Sequence, residues 1–265
     1  MEKNDESSWR TLQTVERATE IIRVLLEQDG AGVSTVAECL DISVSSTHSH
    51  LATLTEAGYL VKEDRQYRLS YRFLHLGEYV RNSSELYRYG RSEADKLAAE
   101  TGHYVHLFTE ENGLGINMYE ARGEYAEEYD YQSLKLQRPE PLHISASGKT
   151  ILSTLSDEDV RSVVRQHGLE SYTDNTITTE RALFEELNRI RDQGYAVNDE
   201  EEIVGYCAVA APIQTENERA IGSISVAGPT RFFDTDEEIQ ELAEQAMKAA
   251  NMTQVNINMS TRVDR

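Results

Sequence analysis

Between Val33 and Leu60 the apolar positions twice repeat the spacing of a helix with one buried face. Val33, Val36, Ala37 and Leu40 make the first run, Asp41-Ile42-Ser43 interrupt it, and Thr47, Leu51 and Leu54 restart it at i, i+4 and i+7. The pattern predicts helix, tight turn, helix. Thr35 followed by Glu38 has the form of a capping box for the first helix, and Ser43 is a good N-cap for the second. Gly58 supplies the left-handed exit. Tyr59 to Leu69 reads as two short strands around Glu63-Asp64-Arg65-Gln66, which completes the outline of a winged helix-turn-helix.

The flanking pattern extends this unit. Val15, Ala18, Ile21, Ile22 and Leu25 predict a helix over about Leu12 to Gln28, closed by Asp29-Gly30-Ala31-Gly32. Phe73, Leu74, Leu76, Tyr79 and Val80 keep a helical period from Tyr71 to Ser84, with Asn82-Ser83-Ser84 as a seam, and predict a linker helix that packs outside its own domain. Beyond the seam, Leu86 to Thr101 is helical and stops at Gly102. Tyr104 to Thr109 and Leu114 to Ala121 alternate as strands about Asn112-Gly113. Helices follow over Ala146 to Leu155, Asp157 to Gln166 and Glu180 to Gln193, strands over Tyr195 to Asn198, Tyr206 to Gln214 and Ala220 to Ala227, and a last amphipathic helix over Asp234 to Ala250. Strands in hairpins with helices grouped between them predict an α+β domain around an antiparallel sheet. The expected boundaries are a winged domain over 11–72, a linker helix over 73–86 and a C-terminal domain over 87–255.

Charge changes the picture of the environment more than of the fold. Against 47 Asp+Glu stand 26 Lys+Arg, a formal net charge of −21, and only Lys3, Lys62, Lys96, Lys135, Lys149 and Lys248 are lysines. An acidic, lysine-poor surface over ordinary apolar periodicity suggests a folded protein kept soluble in very high salt. Cys39 and Cys207 fall in different domains, which argues against a disulfide framework or a zinc cluster. No apolar run reaches membrane-spanning length and the polar start MEKNDESSWR is no signal peptide, so a cytoplasmic location is expected.

Three motifs then occur in one order: the winged helix-turn-helix, PLHISASGKTILSTL (Pro141 to Leu155), and GYAVNDEEEIVGYCAVAAPI (Gly194 to Ile213) closed by GSISVAGPTRF. In this the chain resembles the isocitrate lyase regulator (IclR) family of transcription factors over about Thr11 to Val255. The resemblance implies an N-terminal DNA-binding domain, a linker helix that helps dimerise, and a GAF-like effector domain that binds a small metabolite. It further implies a homodimer or homotetramer on double-stranded DNA at a palindromic operator, no enzymatic activity and no cofactor.

Carrying the family's residues over exposes departures. The recognition helix usually reads Pro-Lys-Ser-Thr-Val-His-Arg; here the same positions are Ser43, Val44, Ser45, Ser46, Thr47, His48 and Ser49, so both basic residues are gone. With Thr47, Leu51 and Leu54 facing the core, Ser45, Ser46, His48, Ser49 and Thr53 are left to reach the groove, where hydroxyls read base edges less sharply than a bidentate arginine. Phosphate contacts fall to Lys62, Arg65 and Arg68 in the wing. In multimolar salt the Debye length is on the order of 3 Å, so little is lost by omitting arginines there.

The effector contacts of the family align with Ala146 and Ser147, with Asn198, with Ala208, and with Ser225 and Ala227; a slip of one place would make Asp199 and Cys207 the contacts instead. On the first alignment the pocket lacks a cysteine, a serine and an acidic group, and a ligand other than a small keto acid is expected. Four other signals are weaker. Gly148-Lys149-Thr150 ends like a P-loop, but His143 occupies the required glycine position, so Gly148 reads as close packing and Lys149 as an exposed helix residue. His48 and His50, two apart on a helix, cannot share a metal. Asp199 to Glu202 reads as a solvated turn, and Glu124 to Asp130 as a charged edge strand or part of a dimer surface. The alternatives are a metabolite-binding protein whose winged domain serves assembly, and a serine hydrolase using Ser145 or Ser147 with His143 and Asp199.

Overall fold

The computed structural model, described for residues 11–126, 138–214 and 219–263, divides into two compact units, residues 1–80 and 81–265. In the first, α1 (Gln13–Glu27), α2 (Val33–Leu40) and α3 (Val44–Glu56) precede a hairpin of β1 (Leu60–Glu63) and β2 (Gln66–Leu69). Ile21, Val24, Leu25, Val36, Leu51, Leu60 and Tyr67 form one buried cluster, and Ala31 bridges to Tyr67, drawing the α1–α2 connection onto the hairpin. The turn between α2 and α3 is made by Asp41 in the left-handed region (φ 50°) and by the Ser43 side chain, which accepts from the Ser46 amide at 3.2 Å. The capping box expected at Thr35 and Glu38 does not form. Gly32 caps α2 without a side-chain bond, and Thr35 already lies inside the helix.

Helix α4 (Arg72–Ser83) is anchored at its start, where Arg72 Nη1 donates to Ala57 O at 2.9 Å and the guanidinium lies over the Tyr59 ring. None of its residues is buried; Leu74, Tyr79 and Val80 are each more than 60% exposed.

In the second unit α5 (Glu85–Thr101) leads into β3 (Tyr104–Glu111) and β4 (Leu114–Arg122), joined by Asn112 and Gly113, both left-handed. After the short β5 (Glu140–Pro141) come one 3-10 turn, α6 (Ala146–Ser153), α7 (Asp157–His167) and α8 (Glu180–Gln193). Then follow β6 (Ala196–Asp199), β7 (Tyr206–Gln214), β8 (Ala220–Pro229) and α9 (Asp236–Val263). The described strands of this unit pair antiparallel in the order β5-β4-β3-β8-β7-β6. Alternation along them separates two cores. Val105, Leu107, Cys207, Val209, Ala211, Ile224 and Val226 join residues of α5 and α9 on one face; Tyr104, Phe108, Ala196, Ala208, Ala210 and Ala227 join residues of α6 to α8 on the other.

α9 runs about thirteen residues past the expected end at Ala250. Thr253 and Ile257 continue its buried stripe, and the sequence reading stopped too soon because Asn, Thr and Gln dilute the apolar period there. Most of the stretch from Glu124 to Asp130 lies outside the described residues.

Candidate functional site

On the first unit, α3 turns Thr47 and Leu51 inward, both fully buried, and leaves Ser45, Ser46, His48, Ser49 and Thr53 exposed. The hydroxyls are partly committed: Ser49 Oγ donates to Ser45 O at 3.1 Å and Thr53 Oγ1 to Ser49 O at 2.8 Å. Each keeps acceptor capacity for a base or water. The wing residues are scattered. Lys62 Nζ lies 5.3 Å over the Tyr67 ring. Arg68 lies against Gly30 and, with Leu25, Leu26, Asp29 and Val61, lines a cavity of about 440 Å³ to which α3 contributes nothing. Arg65 alone stands at the hairpin tip, where Asp64 (φ 47°) and Arg65 (φ 85°) are both left-handed. A two-residue turn of this kind favours glycine or asparagine at those positions, and a longer side chain there costs on the order of 1 kcal/mol.

On the second unit, the residues read as effector contacts divide between the two faces of the sheet. Asn198 pairs with Ala208, Ala208 with Ala227 and Ala210 with Ser225, and Ser225 pairs with His106; these belong to the face that carries α6. Ala146 and Ser147 open α6 on that side, and Ser223 Oγ donates to Ser147 O at 3.3 Å. Cys207 packs in the opposite core with its Sγ 3.5 Å from Asp199 Oδ1. Burial pushes the Cys207 thiol up to about 12, leaving it protonated and unreactive. Asp199 instead lines a separate cavity of about 600 Å³ with Asn175, Glu185 and Arg189. The alternation of β6 and β7 therefore groups Asn198 and Ala208 with Ser147 and Ser225, and sets Asp199 and Cys207 apart.

Within that group, Asn198, Ser147 and Ser225 are almost wholly buried. The Asn198 oxygen accepts from the Glu201 amide at 2.8 Å, while its nitrogen and the hydroxyls of Ser147 and Ser225 make no hydrogen bond to another described residue. Small side chains, Ala146, Ala208 and Ala227, stand between them. Buried polar groups left without protein partners imply water or a ligand. Next to Ser225, β3 and β4 add His106, Asn117 and Glu120: His106 Nδ1 is 3.0 Å from Asn117 Nδ2 and 3.9 Å from Glu120 Oε2, and Glu120 Oε1 accepts from Arg122 at 2.8 Å. The sequence reading missed this trio, although polar residues at inward positions of alternating strands were the signal.

Lys149 is not an exposed helix residue. It is 1% exposed, and its Nζ donates to Val197 O at 2.7 Å and contacts the carboxylates of Glu186 at 3.4 Å and of Glu201. Glu201 is correspondingly no part of a solvated turn; burial raises its carboxyl above the usual range, opposed by the Lys149 charge. Gly148 does pack closely, since a Cβ there would stand 2.2 Å from Leu142 O. The hydrolase constellation is not assembled: Ser145 Oγ caps the Gly148 amide at 3.1 Å, and the His143 ring pairs with Glu170 O at 3.0 Å.

Comparison with known proteins agrees with both units. The family model described as IclR helix-turn-helix domain matches residues 14–64, and that described as bacterial transcriptional regulator IclR, C-terminal, matches residues 80–255. The chain is 36% identical, over 94% of its length and 95% of the relative's, to the probable HTH-type transcriptional regulator ArcR of Halobacterium salinarum. The crystal structure of the Thermotoga maritima IclR superposes with a TM-score of 0.76 at 28% identity, covering 93% of this chain and 99% of that one. An IclR homolog from Microbacterium hydrocarbonoxydans, solved with 4-hydroxybenzoate, shares the fold at 18% identity and a TM-score of 0.79, over 93% of this chain and all of that one. With a family match over each unit and a relative of this identity along nearly the whole chain, the protein belongs to the IclR family of transcriptional regulators.

Proposed function

We propose that the chain acts as a homo-oligomeric, metabolite-responsive regulator whose effector occupies the α6 face of the sheet, held by Ser147, Asn198 and Ser225 beside Ala146 and Ala208. The observation that carries this is that, in three buried residues on that face, the Ser147 and Ser225 hydroxyls and the Asn198 amide nitrogen have no hydrogen bond to another described residue. Because the Asn198 oxygen is committed to the Glu201 amide, the side chain offers the ligand its N–H donors. Ser147 and Ser225 can donate as well, so the ligand presents acceptor oxygens to this end of the site, as the 4-hydroxybenzoate carried by the Microbacterium homolog could.

The DNA contacts are Ser45, Ser46, His48, Ser49 and Thr53 in the major groove and Arg65 at the backbone, with Lys62 and Arg68 in supporting positions. α4, continuous with α5 but for Ser84, is the coupling element and a self-association helix. A metabolic, catabolic operon is the target this reading favours. The lysine-poor charge of −21 supports work in very high salt inside the cell.

Arg65 gives the cleanest test. Its left-handed backbone makes Arg65→Gly favourable for folding, while loss of the guanidinium removes a phosphate contact. The variant is expected to melt at or above the parent temperature and yet bind DNA from upstream of its own gene several-fold more weakly in a gel shift. Parent binding should depend only shallowly on salt. Unchanged affinity in Arg65→Gly would remove the wing tip from the DNA interface.

A further inference from the structure

Helix α3 carries its exposed side chains in two neighbouring rows. Val44, His48 and Ala52 recur every four residues along one, Ser45, Ser49 and Thr53 along the next, and all six are exposed. The first row is apolar at both ends, with Val44 58% exposed. The second is hydroxylic, and two of its three protons are spent within the helix. Ser49 Oγ donates to Ser45 O and Thr53 Oγ1 to Ser49 O, so these oxygens turn only acceptor capacity outward. Neither α2 nor α3 holds a lysine or an arginine, which leaves His48 and Ser45 as the donors of the two rows.

We propose that these rows read A·T base pairs, with Val44 and Ala52 against thymine C5-methyl groups and Ser49 and Thr53 accepting from adenine N6 amino groups. The base edges in the major groove lead to this. Guanine shows two acceptors there, N7 and O6, and is read by donors, above all arginine and lysine. Set against Ser49 and Thr53, it would bring oxygen against oxygen, with both sides stripped of water and unpaired. An A·T pair offers an amino donor on one base and a methyl on the other, and so serves the hydroxyl row and the apolar row together. A G·C pair has the cytosine amino donor but no methyl, and brings the acceptors of guanine with it. Since both contacts are uncharged, this discrimination carries no counterion-release term and persists as salt rises, unlike the phosphate contact of Arg65. Val44 and Ala52 are thereby specificity-determining residues, in addition to the polar contacts named above.

This rests on the placement of α3 in the major groove proposed above and adds which bases it meets there. The test begins with a random-sequence duplex pool, from which the full chain in high salt selects its sites. The enriched half-site is expected to hold A·T pairs at its centre. Its thymines are then replaced one at a time by deoxyuridine, which removes the C5-methyl and leaves every hydrogen bond in place. At one or two positions the parent should bind about three- to five-fold more weakly, the worth of one buried carbon. An A·T to G·C exchange at the same positions should cost about tenfold or more. In Val44→Ser/Ala52→Ser the ratio of thymine to uracil affinity should fall to near one. Because that ratio is taken within one protein, a change in its stability does not enter. Ala52→Arg should make the pair it faces bind better with guanine in place of adenine. A ratio of one at every thymine in the parent, or an undiminished ratio in the double variant, overturns the reading of A·T pairs and leaves α3 in the groove. A pool that yields no enriched sequence overturns both.

Discussion

Lys149→Met is expected to destabilise the C-terminal unit by about 3–5 kcal/mol, the usual cost of stripping one partner from a buried ion pair. The methionine fills nearly the same volume, so the loss is electrostatic and not a cavity. Glu186 and Glu201, both less than 10% exposed, would be left facing each other without the ammonium, and Val197 O would lose its donor. Glu186 would keep Arg189 as a partner; Glu201 would keep none of comparable charge among the described residues.

The pH dependence follows from Glu201. Its folded pKa is raised by burial, so the group favours folding below the ordinary carboxylate range, and that contribution is lost as pH rises through the folded value. Removing Lys149 raises the folded value further. The deficit of the variant should therefore be largest at neutral pH and shrink on acidification towards the carboxylate range. Urea melts of parent and variant between pH 8 and pH 5 measure it, and a deficit below about 1 kcal/mol or flat with pH would contradict the account. Salt supplies a second discrimination. Exposed pairs such as Arg181 with Glu185 are screened away in multimolar salt, whereas the buried cluster should keep its effect there.

Gly148→Ala should be the second severe substitution. Alanine in place of a helical glycine ordinarily gains up to about 1 kcal/mol. Here the new Cβ would lie 2.2 Å from Leu142 O and 2.6 Å from Leu142 Cα, and these are backbone atoms with no flexible end to swing away. The 3-10 turn over Leu142–Ile144 would have to part from α6, opening the buried cluster around Leu142, Ala146 and Ile151. A net loss of about 2–3 kcal/mol is expected, with the start of α6, and hence Ser147, displaced. A melting temperature equal to or above the parent's would show that the turn yields at no cost.

These two neighbours show where reading the sequence succeeds and where it stops. Gly148 was recognisable as a close-packing glycine because a helix begins there and the P-loop alternative lacks its glycine at His143, a matter of a few adjacent positions. Lys149 was not recognisable as buried, because its carboxylate partners lie 37 and 52 residues away and only the closed sheet brings them to it. The same division runs through the effector residues. The resemblance to the IclR family singled out these segments, and the period of two along a strand is sufficient to put Ala208 and Cys207 on opposite faces. That the Asn198 oxygen is already committed to Glu201, turning the side chain into a donor, depends on the fold of the following turn.

By itself, then, the sequence determined what acts within a turn or two of chain. That covers the Ser43 cap, the left-handed exit at Gly58, the Asn112-Gly113 hairpin, the periodicities of α3 and α5, and the absence of positive charge from Ser43 to Leu54. Such features depend on hydrogen bonds and side-chain neighbours no more than about four positions apart. Only the tertiary structure decided the burial of Lys149 with Glu186 and Glu201 and the His106–Asn117–Glu120 cluster. Each depends on the desolvation of groups distant in sequence, and desolvation is a property of the assembled packing that no local pattern encodes.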